Sequence, residues 1–205
     1  MSGRKEFFQS LGDKFDFDNL KRIQTAYWFS KNIHRPQVRD DGERYFEHPL
    51  RVAKYILKYD NNVGNSEPIV TALLHDIVED SFTPEHVIID LFGSNMWENL
   101  ALLSKTRNVY DPITMELFSR TKKNIDDYFE DISEASYVVR LVKVCDRLDN
   151  VSDIHTFSPQ RREKYVKETE QYILPIAYKT HWSIAEQIKE LIHGRKQENA
   201  AVSSG

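Results

Sequence analysis

The chain has 205 residues, with 28 basic against 32 acidic side chains and a net charge of −4. That length suits one domain with a substantial core, and the acidic balance excludes bulk electrostatic binding to DNA or RNA. The single cysteine, Cys145, excludes an intrachain disulfide and agrees with a reducing, cytoplasmic setting; no run approaches the ~20 apolar residues of a membrane span, and the N-terminus lacks the apolar stretch of a secretion signal.

Helical signals dominate in chain order. Asp16 and Asp18 are N-cap candidates for a helix reaching about Asn32, with Leu20, Ile23, Ala26, Tyr27 and Phe29 as its apolar positions. A polar, turn-rich stretch from His34 to Tyr45 follows. Pro49 suits the first turn of a second helix carrying Leu50, Val52, Ala53, Ile56 and Leu57, which Asn61-Asn62-Val63-Gly64 ends. Ser66 is placed to cap a third helix through His75-Asp76. Thr83-Pro84-Glu85 and Gly93 bracket a short helix, and Asp111-Pro112 reads as the start of another that runs past Arg120. Arg120, Lys122 and Lys123 would then be a solvated helix face. Apolar residues at 138, 141, 145 and 148 predict a helix over 137–151. Ser158-Pro159 opens a long helix that Pro175 should kink, and a final amphipathic helix spans Trp182 to Ile192. No strand alternation is evident. The expectation is one all-α domain: an N-terminal extension over 1–17, a helical bundle over 18–193, and a flexible tail over 194–205.

Leu73-Leu74-His75-Asp76-Ile77-Val78-Glu79-Asp80 places four titratable side chains in an apolar run. Buried charge is costly unless it is paired or binds a metal, so this segment points to a site rather than a plain core helix. His48, aimed by the loop before Pro49, and Asp146 are candidates to complete a ligand set with His75 and Asp76. Lys143, Asp146 and Asn150, at i, i+3 and i+7, form one polar stripe. Two imidazoles and two carboxylates without a thiolate suit Mn²⁺ or Fe²⁺ at least as well as Zn²⁺. Each residue alone has a plainer reading: His48 as a cap, Asp146 as half of an ion pair with Arg147, Glu79-Asp80 as a solvated face. The combination, in this order, is the stronger signal.

Over roughly residues 20 to 180 the chain resembles the HD superfamily of metal-dependent phosphohydrolases, and more narrowly the hydrolase domain of RelA/SpoT homologues and the stand-alone small alarmone hydrolases. The resemblance is carried by His34-x-x-Gln37-x-Arg39-x-x-Gly42-x-x-Tyr45-x-x-His48-Pro49, by Ala72-Leu-Leu-His75-Asp76-x-x-Glu79-Asp80, and by Lys143-x-x-Asp146-Arg147-Leu-x-Asn150. It implies an HD-domain helical bundle that removes pyrophosphate from the ribose 3′ position of (p)ppGpp in a Mn²⁺-dependent reaction. His48, His75, Asp76 and Asp146 would be the metal ligands, and Glu79 and Asp80 the groups that orient or deprotonate the attacking water. Arg39 would pack on the guanine and Asn150 contact the nucleotide. Independently, Lys143 offers positive charge for phosphates, as do Lys105 and Arg147, and a guanidinium can stack on a purine as Lys cannot.

Several positions depart from the family pattern. Asp40 follows Arg39 where Lys is common, Asp41 replaces a small hydroxyl residue, Asp149 stands where His is frequent, and Asp153 where Thr often follows. These changes add negative charge near an expected polyanion site, so substrate choice is more open than the metal set. The alternatives are an HD nucleotidase acting on another nucleotide, or a regulator that binds an alarmone without cleaving it. Retention of Glu79 and Asp80 speaks against the regulator, because binding needs no water-activating pair. The chain ends too early for a fused synthetase domain, so reversible synthesis is not expected.

Overall fold

The computed structural model describes residues 3–39, 42–60, 64–111, 113–114 and 117–202. Expectations placed on Asp40, Asp41, Asn61, Asn62, Val63 and Pro112, and on the last three residues of the tail, lie outside the described residues.

Gly3–Leu11 forms α1, whose Phe7 and Leu11 are buried in the common core. Helix α2 covers Phe17–Ile33 and starts as expected, with the Asp16 carboxylate accepting the Asn19 N–H at 2.8 Å. Helix α3, Glu47–Tyr59, takes Pro49 in its first turn, where a missing N–H costs nothing. Helix α4, Glu67–Leu74, is buried at every residue from Pro68 to Leu74, as a helix apolar all round must be. Ser66 precedes it, but its hydroxyl donates to Asn19 on α2 rather than capping α4. Four residues, Ile77–Asp80, make α5, so His75-Asp76 sits at a junction between two helices and not inside one.

Helix α6, Glu85–Phe92, ends at Gly93, whose φ of +90° is a conformation that a side chain would strain. Helix α7 is Ser94–Leu103, and α8 is Ile125–Glu134, capped by Asn124. Helix α9, Tyr137–Ser152, confirms the helical reading of the Val-rich segment, with Ser136 accepting the Val139 N–H. Helix α10 (Pro159–Glu168) runs into a π-helical turn over Thr169–Ile173 and then α11, Leu174–Thr180. The widened turn lies directly ahead of Pro175, which cannot donate to the carbonyl one turn back. Helix α12, Trp182–Val202, runs through Gly194 where a stop was expected; one glycine costs a helix only about 1 kcal/mol.

The segment after Asp111 overturns an expectation. Instead of a helix, Thr106–Tyr110 (β1) and Leu117–Lys122 (β2) pair as an antiparallel hairpin, with Asn108 opposite Arg120. The Asp111 carboxylate does accept two backbone N–H groups, from Ile113 and Thr114, both at 2.8 Å. That is the bonding of an N-cap used in a turn, and local sequence cannot tell the two apart. Arg120 is therefore on a strand and not a helix face; still exposed, it donates to Asn108 Oδ1 at 2.8 Å and to the Ser81 carbonyl at 2.6 Å. Lys123 donates to the Ala101 carbonyl at 2.7 Å.

The centre of the molecule is α9, packed against α3, α4, α7, α8, α11 and α12. Its buried residues include Lys143, Asp146, Arg147 and Asp149. Four charged side chains in the core face of the central helix demand partners, and those partners define the site. Among the described residues no helix is long and apolar enough to cross a membrane.

Candidate metal centre and nucleotide cleft

His48 enters from the first turn of α3, His75 and Asp76 from the junction after α4, and Asp146 from the middle of α9. All four predicted ligands meet. His48 Nε2 lies 3.2 Å from Asp146 Oδ1 and 3.6 Å from Asp76 Oδ2. His75 Nε2 lies 3.1 Å from Asp76 Oδ1 and 3.8 Å from Asp146 Oδ1. Donor atoms of His48, His75 and Asp76 fall within 4.8 Å of one another.

The imidazole orientations are set from behind. His75 Nδ1 donates to the Ala72 carbonyl at 2.8 Å, which leaves the lone pair of the neutral ring on Nε2. That buried Nε2 has no hydrogen-bond partner: Asp76 Oδ1 lies 3.1 Å away, but a lone pair facing a carboxylate oxygen sets one acceptor against another. A buried, unpartnered nitrogen facing two carboxylates and a second imidazole fits a divalent cation. His48 Nδ1 is held at 2.6 Å by Asp149 Oδ2. Burial opposes charge on the His48 ring, but Asp146 and Asp149 outweigh it and push its pKa up to about 9. Burial likewise opposes ionisation of Asp146, yet Lys143 and the imidazoles hold its carboxyl well below the usual range.

Tyr45, quoted in the motif without a role, donates its hydroxyl to Asp76 Oδ2 at 2.9 Å. Its ring stacks on His34, centroids 4.8 Å apart. His34 Nδ1 bonds Gln37 Oε1 at 2.6 Å, and Gln37 Nε2 donates to the Asp80 carbonyl at 2.9 Å. The His34-x-x-Gln37 element is thus a brace between the loop and the turn that carries the acids.

Glu79 and Asp80 differ in placement. Glu79 lines the cleft beside the centre, and its Oε2 accepts the Lys105 N–H at 2.9 Å. Asp80 faces the Tyr45 hydroxyl; burial and the Asp76 charge push its pKa up to about 6. Asn150 lies on the opposite wall, donating to Asp146 Oδ1 at 2.6 Å and accepting from Arg39 Nη2 at 3.1 Å. Lys143 is only 6 % exposed and its ammonium is committed to Asp146 Oδ2 at 2.9 Å, so it acts first as a counter-charge inside the site. Lys105 has its pKa lowered by burial and by Lys143. Phe157, Arg161 and Tyr165, which the sequence reading passed over, line the far end of the cleft.

Arg147 is structural. Nη2 bonds Glu168, Nη1 donates to Thr169 Oγ1 at 2.9 Å, and the guanidinium lies 3.9 Å over the Tyr165 ring. Replacing Arg147 by Ala leaves the half-buried Glu168 carboxylate with Lys105, at 3.4 Å, in place of its closest partner, and opens a hole against Tyr165. The expected cost is about 3–5 kcal/mol, read as a lower denaturant midpoint at unchanged slope.

Two departures from the family pattern find partners here. Arg51 Nε and Nη2 grip Asp149 at 2.8 and 3.1 Å, and its Nη2 lies 3.6 Å from Asp153. Arg39 lies 3.8 Å from Asp149 and 3.9 Å from Asp153. The added acids are largely offset by these two guanidiniums, so the expected build-up of bare negative charge at the cleft does not occur at these positions.

Residues 26–180 match the HD domain family. The chain belongs to that family. Among curated proteins this HD domain is 33 % identical over 173 residues to a guanosine-3′,5′-bis(diphosphate) 3′-pyrophosphohydrolase of Aquifex aeolicus, covering 84 % of this chain and 23 % of that protein. It is 28 % identical over 163 residues to the bifunctional (p)ppGpp synthase/hydrolase SpoT of Escherichia coli, covering 79 % and 22 %. A GTP pyrophosphokinase of Myxococcus xanthus is 30 % identical over 163 residues, covering 78 % and 20 %. The chain therefore spans about a quarter or less of the length of these relatives. A solved structure described as a metazoan ortholog of SpoT that hydrolyses ppGpp superposes with a TM-score of 0.68 at 20 % identity, over 85 % of this chain and 95 % of that one. That likeness shows the shared helical fold. An HD domain implies a divalent metal, and the His-His-Asp group is present here.

Proposed function

We propose that this HD domain is a (p)ppGpp 3′-pyrophosphohydrolase, converting ppGpp to GDP and pppGpp to GTP with release of pyrophosphate. The observation that carries the reading is the convergence of His48, His75, Asp76 and Asp146, with His75 Nε2 buried and lacking a hydrogen-bond partner. These four residues would hold one divalent cation, and a mixed nitrogen and oxygen set without thiolate suits Mn²⁺ at least as well as Zn²⁺. When bound, the cation supplies a more acidic water and offsets charge on the phosphoryl oxygens.

The chain's own groups do the rest. Glu79, fixed by the Lys105 N–H, takes the proton of the attacking water, and Asp80, beside Tyr45, orients that water. The water oxygen bonds to the phosphorus nearest the ribose, the bond from that phosphorus to O3′ breaks, and the departing O3′ takes up the proton that Glu79 removed from the water. Asn150 and Arg39 hold the nucleoside, and Lys105 faces the phosphates. The partner is a nucleotide rather than a nucleic-acid polymer, in keeping with the net charge of −4, and a cytoplasmic setting suits the lone cysteine.

Purified protein incubated with Mn²⁺ and ppGpp should yield GDP and pyrophosphate in equal amounts. Absence of both products with Mn²⁺, Fe²⁺ and Zn²⁺ would reject the assignment, and release of inorganic phosphate alone would indicate a nucleotidase. Arg39→Ala should raise KM for ppGpp by about 10-fold with kcat changed less than about 3-fold, as expected for a lost stacking contact of roughly 1–2 kcal/mol. Arg39→Lys should not restore it, since an ammonium presents no planar face.

A further inference from the structure

Helices α3 and α9 lie side by side, and each presents two polar side chains three residues apart: His48 and Arg51 on α3, Asp146 and Asp149 on α9. That spacing puts each pair on one face, one turn apart. The four interlock. His48 Nε2 meets Asp146 at 3.2 Å while its Nδ1 meets Asp149 Oδ2 at 2.6 Å. Arg51 takes both oxygens of Asp149, and its Nη1 reaches on to Glu43 at 2.6 Å. Asp149 is 1 % exposed, so its charge persists only because three donors converge on it. With both oxygens pinned by the guanidinium, Oδ2 has one direction left, toward the imidazole. An anionic acceptor fixed there selects the tautomer with its lone pair on Nε2 and makes that nitrogen a stronger donor to a cation.

We infer that Asp149 is a positioning residue for His48, that Arg51 is its counter-charge, and that the pair sets how tightly the centre holds its divalent cation. This deepens the proposed function and rests on His48 being a ligand. The acid that departs from the family pattern is then a device that acts on the metal site from behind, and not a surface charge that repels the substrate. A histidine at this position would take one carboxylate from Arg51 and leave it Glu43 at 2.6 Å and Asp153 at 3.6 Å.

The test is Mn²⁺ binding by calorimetry to the full chain, with thermal melts as the check on folding. Asp149→Asn keeps shape and one acceptor oxygen but removes the charge; it should weaken Mn²⁺ binding about 10- to 100-fold while the protein still melts cooperatively. Arg51→Gln should weaken it by less, and the double variant should bind no worse than Asp149→Asn alone, because Arg51 acts through Asp149. Wild-type affinity in Asp149→Asn, or a double loss equal to the product of the single losses, would overturn the inference. If Asp149→Asn does not fold, Arg51→Gln decides, and an unchanged affinity in it counts against the pair. Failure of the wild-type chain itself to bind Mn²⁺, Fe²⁺ or Zn²⁺ would instead reject the ligand assignment of His48, a separate outcome.

Discussion

The double substitution Glu79→Gln, Asp80→Asn is expected to lower pyrophosphate release by at least about 10³-fold while leaving cation affinity within about 3-fold of wild type. Both changes preserve volume. A glutamine at 79 can still accept the Lys105 N–H through its carbonyl oxygen, so α5 keeps its anchor to the residue ahead of β1. What disappears is basicity at the cleft wall. Asp80 contributes by orienting the attacking water beside Tyr45, a hydrogen-bonding task that an asparagine amide fulfils less well than a carboxylate. Neither residue lies among the four that converge on the centre, so calorimetry with Mn²⁺ should register little change. Residual activity above one tenth of wild type would show that proton transfer is handled elsewhere.

Asp146→Ala is expected to remove cation binding and turnover together, and also to destabilise the fold. The carboxylate is a hub: Oδ1 faces both imidazoles and accepts from Asn150, and Oδ2 accepts from Lys143. With it gone, Lys143 is a buried ammonium near the Tyr128 ring, 5.5 Å away, without its carboxylate partner. Breaking a buried pair from one side costs about 3–5 kcal/mol, most of it the stranded charge. A second change separates the two effects. Lys143→Met on the Asp146→Ala background should recover most of the lost stability in a denaturant titration and none of the cation affinity. If the double variant is no more stable than Asp146→Ala, Lys143 is not held by Asp146 in the way the 2.9 Å contact indicates.

How legible the fold was depends on whether a signal is local. Asp16 before an apolar-periodic run, Pro49 in a first turn, and the 138-141-145-148 spacing became α2, α3 and α9 within a residue or two of their expected bounds. In each case capping and periodicity act within one helix. The hairpin was misread because Asp111 offers the same side-chain bonds to a turn as to a helix start, and the deciding contribution, pairing of Thr106–Tyr110 with Leu117–Lys122, joins residues up to 16 apart. The α4–α5 break has a similar origin: His75 and Asp76 keep helical dihedrals, so only the neighbours that brace the turn, Gln37 on Asp80 and Asn108 on Val78, reveal that the helix has restarted.

Residue type and order alone determined the chemistry available to this protein: imidazoles and carboxylates without thiolates, an acid pair one turn beyond the His-Asp doublet, and a net charge unsuited to a nucleic-acid polymer. Tertiary structure decided who faces whom. A helix pattern tells which side chains point inward, but the choice of neighbour comes from how α3, α4 and α9 pack, and packing is a property of the whole core. Arg147 and Asp149 show the consequence. Two positions apart on one helix, with opposite charges, they read in the sequence as a phosphate-binding or structural cation and as added negative charge near the cleft; in the fold Glu168 and Thr169 hold the first, and His48 and Arg51 pair the second.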